Sequence, residues 1–353
     1  MSKTLALALV LVFLTASSII VVLPVSGATT AENTWVRRTP FPNEVGIVGA
    51  AVVDAKIYVM GGSTNFEYNP VTDSWTNKTA MPTPRWHFGI TVYQNTIYTM
   101  GGWDSSDVAN EAYNPASDTW KIMKPIPRNV SEGDCKITAR VVDGKIYAMG
   151  FNSNYIYDIA SDSWSIGKAM PFPSSFSISS AVYNNKIYCI GGNKTQIYDP
   201  KTDSWSLGAS LPNPVSNPAV CSTTGTFSLR KIYVFGGETS FLEYTDKTQV
   251  YNPENNSWTL GSSMLTPRGN PTVAVINDQI YVIGGGLYWG RSETTNELYT
   301  PFGYGKADLT PTPSVTPSPS VPELSWLMIL PLFISILFIV VLFRKRKYGD
   351  NHD

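Results

Sequence analysis

The sequence predicts an all-β fold, a propeller of six four-stranded blades, and three observations point to it. The segment Ile-Tyr-x-x-Gly-Gly recurs along the chain, its copies about 40 to 49 residues apart. Each of the first five copies is followed by a Tyr, a turn and a Trp. The composition, with 27 Gly, 25 Pro, 19 Tyr, 10 Trp and only 15% charged residues, suits short strands joined by tight turns. Self-similarity at this period is the mark of a repeated supersecondary unit.

The copies are Ile57-Tyr58 to Gly61-Gly62, Ile97-Tyr98 to Gly101-Gly102, Ile187-Tyr188 to Gly191-Gly192, Ile232-Tyr233 to Gly236-Gly237 and Ile280-Tyr281 to Gly284-Gly285. A sixth, Ile146-Tyr147 to Gly150, has Phe151 in place of the second Gly. An alternating apolar stretch and a tight turn precede the segment, as at Asp143-Gly144-Lys145, Asn184-Asn185-Lys186 and Asn277-Asp278-Gln279. Asn, Asp and Gly tolerate the positive φ that two-residue hairpin loops need. After it come Tyr68, Tyr113, Tyr157, Tyr198 and Tyr251, and then Trp75, Trp120, Trp164, Trp205 and Trp258. In four of these five units an Asx-Pro pair starts the turn between Tyr and Trp, because Pro sets φ and the Asx side chain bonds the backbone ahead. Each unit therefore reads strand, tight turn, strand ending in Gly-Gly, loop, strand with Tyr, turn, strand with Trp, which is one antiparallel blade.

The physical roles of the repeated residues follow. The Gly pair ends a strand where the backbone crowds or turns with positive φ. The Tyr and Trp rings supply the apolar area that must be buried between blades. The sixth unit has strands at 272–276 and 280–284 and a third ending Leu298-Tyr299-Thr300-Pro301, but no Trp of its own. The spare Trp is Trp35, so the N-terminal strand around Asn33–Arg38 is expected to complete the last blade and hide the open sheet edges.

Gly-Gly, Tyr and Trp in this order, six times over about Trp35 to Phe302, resemble the Kelch repeat family. The resemblance implies a six-bladed Kelch β-propeller over 33–303, with its last blade closed by the N-terminal strand.

The two ends carry other signals. Residues 1–28 have a short charged start, an apolar run from Leu5 to Val25 and then small residues, the layout of a signal peptide cleaved near Gly27 to Ala31. Residues 306–323, rich in Pro, Ser and Thr, predict an extended stalk. Residues 324–343 form an uncharged run long enough to span a bilayer as a single transmembrane helix. Arg344-Lys345-Arg346-Lys347 opens a basic tail over 344–353 and marks the cytoplasmic side, which puts the propeller outside the cell. Val321-Pro322-Glu323-Leu324 with this helix and tail resembles the C-terminal sorting signals of some prokaryotic, especially archaeal, surface proteins; those carry Phe where this chain has Leu324.

Composition excludes some functions. Net charge is −1, and setting aside the basic tail and Lys3 leaves a mildly acidic remainder, which argues against a nucleic-acid face. Cys135, Cys189 and Cys221 lie in apolar or strand-like contexts without metal-ligand spacing, and no cofactor is implied. Four sequons, at Asn77, Asn129, Asn193 and Asn255, permit glycosylation.

The loops after Gly-Gly and those leading into each first strand are expected to share one face, and loops on a rigid scaffold carry binding. Exposed aromatics beside Arg and carboxylates suit sugars or proteins. The candidates there are Arg85, Trp86, His87, Trp103, Asp104, Arg268, Tyr288, Trp289 and Arg291, with Arg85 and Arg268 in supporting roles. They point to binding of an extracellular protein or glycan. The alternative is catalysis. Some Kelch propellers anomerise sialic acid, and Arg85, His87, Glu132, Asp134 and Glu238 offer acids and bases. The copper-dependent oxidases of the family need two His, whereas His87 stands alone outside the predicted tail. A purely architectural surface module fits the anchor and stalk equally.

Overall fold

The computed structural model describes residues 31–43, 48–103, 108–127, 137–150, 153–172, 178–240, 243–287 and 291–306. The predicted signal peptide, transmembrane helix and tail, and the stalk but for Lys306, lie outside them. Among the described residues, no helix is long and apolar enough to cross a membrane.

The fold is a six-bladed β-propeller of six antiparallel four-stranded sheets. The first blade runs Gly49–Val53, Lys56–Gly61, Thr64–Asn69 and Ser74–Asn77. Four more follow in sequence order, their innermost strands Gly89–Tyr93, Thr138–Val142, Ser179–Tyr183 and Ala219–Ser222. The sixth takes Thr272–Ile276, Gln279–Ile283 and Asn296–Thr300 from the C-terminal side and its outer strand, Thr34–Arg38, from the N-terminal side. Thr34 to Arg38 pair in antiparallel register with Thr300 to Asn296, so the ring closes as expected from the spare Trp35.

A blade is covered on both faces, and its second strand therefore reads as a continuous apolar run instead of an alternating one. Ile57, Tyr58, Val59 and Met60 are all buried. The core is correspondingly divided. The buried apolar residues form six clusters, each drawn from two adjacent blades. Among the described residues, two Tyr rings meet across the gap at five seams, as in Tyr58–Tyr113, Tyr233–Tyr299 and Tyr281–Tyr68, with centroids 5.8 to 6.0 Å apart in these three.

The Tyr and Trp of the repeat do more than fill space. Tyr68 donates its hydroxyl to Asp73 (2.5 Å), and Asp73 also accepts the amide of Thr39, the residue just after the outer strand of the sixth blade. Trp75 donates its indole N–H to the carbonyl of the same Thr39 (3.0 Å). Both polar groups of one residue in the neighbouring blade are thus pinned by one turn. The arrangement recurs at Tyr113, Asp118 and Trp120 on Thr79, at Tyr157, Asp162 and Trp164 on Lys124, and at Tyr198, Asp203 and Trp205 on Lys168. In the fifth and sixth blades Asn replaces Asp: Asn256 and Trp258 hold Ala209, and Asn33 and Trp35 hold Ser262. The latch residue adopts a left-handed φ in every case, from 46° to 57°, which Asp and Asn accept more readily than other non-glycine residues.

These latches make part of the stability acid-sensitive. At Asp73 and Asp118 partial burial pushes the carboxyl pKa up, but hydrogen bonds from the Tyr hydroxyl and the neighbouring amide outweigh it and hold the group low. At Asp162 the Tyr157 hydroxyl leads, and at Asp203 the Lys168 amide leads, again lowering the pKa. A carboxyl depressed in the folded state stabilises above its unfolded value, about 3.9, and the contribution is lost as pH falls through the folded value. Converting all four to Asn, as nature has done in two blades, is expected to flatten the stability loss below about pH 4. Urea midpoints at pH 3 and pH 6 for both proteins check this; an unaltered difference would place the acid sensitivity elsewhere.

Two departures from the regular unit stand out. The first two strands of the fifth blade are joined by residues 223–231 instead of a two-residue turn, and Asp278 of the next blade accepts the amides of Thr224, Phe227 and Ser228 to hold that loop. After the Gly pair, the fifth and sixth blades insert short hairpins, Glu238–Ser240 with Glu243–Tyr244 and Gly286–Leu287 with Arg291–Ser292. Cys189 and Cys221 are buried thiols, and burial pushes the Cys189 pKa up to about 12 and that of Cys221 up as well. Cys135 lies outside the described residues.

Candidate functional site

The loops after the Gly pairs and the loops leading into the first strands do share one face, joined by short backbone bridges: Gly62 to Arg85, Trp86 to Trp103, Gly192 to Val215, Ser216 to Glu238 and Gly269 to Gly286. Three of the lead-in loops end in a residue of left-handed φ, His87 (55°), Asn217 (53°) and Asn270 (51°), which turns the chain down into the central channel. With Thr138 and Ser179 these three line the channel mouth, a cavity of about 130 Å³. A second cavity of about 280 Å³ is lined by the middle of the inner strands, and Arg140 belongs to the lining of both.

Two polar or aromatic groups crown this mouth. Trp86 and Trp103 exchange backbone hydrogen bonds (Trp103 N–H to Trp86 carbonyl 2.7 Å, the reverse 3.2 Å). Both rings remain open to solvent, at 36% and 63% exposure. Gly102 makes this approach possible: its φ is 113°, and a Cβ there would stand 2.8 Å from the Trp86 carbonyl. The His87 ring lies 6.3 Å from that of Trp103. The second group is Glu238, whose Oε1 accepts the side-chain amides of Asn217 (3.0 Å) and Asn270 (3.1 Å). A carboxylate is thereby fixed beside two of the residues that line the mouth.

Arg85 and Arg268 correct the expectation that they support ligand binding. Both are 0% exposed. Arg85 pairs with Glu111 at 2.8 Å and also donates to the Thr99 hydroxyl; Arg268 pairs with Glu297 at 2.5 Å and donates to the Thr295 hydroxyl and the Gly284 carbonyl. Burial lowers the pKa of each guanidinium, and the carboxylate beside it works the other way. These are internal pins. At the position of Glu111 and Glu297, the fourth and fifth blades carry Gln196 and Gln249, which bond the chain at Phe172 and Asn213. Of the remaining candidates, Asp104, Tyr288, Trp289, Glu132 and Asp134 lie outside the described residues. Arg291 is placed only by its backbone, opposite Leu287.

Comparison with known proteins agrees with this architecture. Models described as Kelch motif match residues 84–127, 176–212 and 219–265, and a second Kelch motif model matches 45–82. Kelch motifs are thus matched in the first, second, fourth and fifth blades. Kelch-like protein 15 of Homo sapiens is 40% identical over 67 residues, covering 17% of this chain and 11% of that protein. Kelch-like protein 25 of Xenopus tropicalis is 32% identical over 71 residues, 20% of this chain and 11% of its own length. The chain thus matches about a tenth of the length of these curated relatives. A solved structure titled "Structure of YjhT" superposes with a TM-score of 0.62 at 15% identity, over 73% of this chain and 95% of that one, a likeness of fold.

The Kelch repeat also shows what the sequence reading missed. In register opposite the Tyr of each Ile-Tyr pair, five inner strands carry Ala51, Thr91, Ala181, Cys221 and Ala274, and the third carries Arg140. Aligning the six units on that Tyr would have exposed the exception.

Proposed function

We propose that the loop-bearing face of this Kelch propeller is a binding surface for an extracellular protein or glycan, carried outside the cell on the stalk and membrane helix read at 306–323 and 324–343. One observation carries the reading: Trp86 and Trp103, distant from the repeat's structural Trp positions, are bridged through their backbones and left exposed, next in the chain to His87 at the channel mouth. Indole faces stack on sugar rings and anchor protein interfaces, and a backbone ladder presents them at little entropic cost. Replacing Trp103 by Ala is expected to weaken a bound ligand by 10-fold or more, about 1.4 kcal/mol or above, with the unfolding midpoint unchanged because the ring is exposed. Saturation-transfer NMR of the protein against a panel of simple sugars, repeated on Trp103→Ala, measures it. Equal transfer in both proteins would remove the Trp pair from the site.

A second reading, a sugar mutarotase, is favoured by Glu238. Its carboxylate is held by the side-chain amides of two residues that line the mouth, in the manner of a positioned acid–base group. Freshly dissolved sialic acid followed by NMR distinguishes the two: accelerated anomer exchange that is lost in Glu238→Gln selects catalysis, and binding without exchange selects the lectin-like reading.

A further inference from the structure

Among the described residues, Arg140 is a cation without a carboxylate partner, set among the inner strands of the ring. It extends from the inner strand of the third blade, and the five small residues at the equivalent register of the other blades leave the room that its side chain takes up. Its terminal nitrogens donate to the carbonyls of Ala139 (2.7 Å) and Ser180, and stand 3.5 Å from those of Ile90 and Val220, so one side chain reaches backbone of four blades. Carbonyl dipoles solvate a guanidinium but do not neutralise it, and at 3.5 Å they do so weakly. Among the described residues, no Asp or Glu lines either cavity that Arg140 borders and Arg140 has no ion pair. Its titratable neighbours are the thiols of Cys189 and Cys221, which burial keeps protonated and neutral. Burial pushes the Arg140 pKa down to about 10, which leaves the charge in place at neutral pH. Among the described residues, the two fully buried Arg side chains are each matched, Arg85 by Glu111 and Arg268 by Glu297. Arg140 is half-buried, and a charge withdrawn that far from water without a partner acid is costly enough that a mobile counter-ion is favoured wherever one can enter.

We propose that the axial channel holds a small monovalent anion, a halide or a short carboxylate, against the guanidinium of Arg140. The ion enters through the mouth between His87, Asn217 and Asn270, past the hydroxyls of Thr138 and Ser179, in a space of about 130 Å³ that admits a few non-hydrogen atoms and excludes a whole sugar. The site is distinct from the Trp pair and does not depend on it.

The test uses the full chain with bromide and formate as probes, the ionic strength held constant with a bulky sulfonate buffer salt. Both probes are expected to raise Tm saturably, on the order of a few degrees. Arg140→Met is expected to abolish the rise, and Arg140→Lys, which keeps the charge, to retain it in weaker form. Crystals soaked in bromide are expected to show an anomalous peak within about 3.5 Å of the guanidinium. An equal rise in the wild type and Arg140→Met, or no peak at Arg140 at saturating bromide, overturns the proposal; the peak decides the matter even if the Met variant does not fold.

Discussion

Removal of residues 33–38 is expected to abolish the cooperative unfolding transition of the propeller or cost it more than about 5 kcal/mol, against a typical total of about 5 to 15. The segment supplies the whole outer strand of the sixth blade and its five register pairs. It also supplies one of the six latches: Asn33 accepts the Tyr299 hydroxyl and the Ser262 amide, and the Trp35 indole donates to the Ser262 carbonyl. The Trp35 ring packs on Tyr299 (4.8 Å) and Phe235 (5.5 Å), across the seam between the fifth and sixth blades. Its loss would bare the edge of Asn296–Thr300 and loosen that seam. Trp35→Ala alone, at a half-buried position, is expected to cost about 3 kcal/mol, the lower end for a truncated Trp. Urea denaturation followed by circular dichroism measures both, and an unchanged midpoint for the deletion would refute closure by the N-terminal strand.

The second large effect is at the Arg85–Glu111 pin. Glu111→Ala strands a fully buried guanidinium, and the expected loss is about 3 to 5 kcal/mol. The Arg85→Met, Glu111→Leu double variant removes both charges and is expected to recover most of that loss, because the desolvation cost of the pair disappears with it. A double-mutant cycle by chemical denaturation gives the coupling directly. If Glu111→Ala costs less than about 1 kcal/mol, the ion pair is not the structural pin that its burial implies.

The same two residues show how far a sequence carries this protein. Arg85 and Trp86 are adjacent and both were candidates for the binding face, yet one is wholly buried and the other 36% exposed. A strand alternates its side chains, and at a loop leading into a strand the phase of that alternation depends on the bridge to the neighbouring blade, here Gly62 to Arg85. No local pattern encodes that phase. Trp86 and Trp103 were legible as binding candidates, but their pairing was not, because it needs two loops brought into register by a glycine with φ 113°. Glu238 was legible as a polar insertion; its grip by Asn217 and Asn270 comes from residues about 20 and 30 positions away.

What the sequence by itself determined was the ring: the number of blades, the strand order within each, the turns, and the N-terminal strand that closes it. These rest on short-range periodicity and turn chemistry, repeated often enough to be read without a partner in space. The tertiary structure alone decided which polar groups meet at the axis and which are pinned inside. The axis is where six strands separated by about 40 to 50 residues converge, so the charge of Arg140 acquires its meaning only from the five small residues and the absence of an acid among the described residues around it.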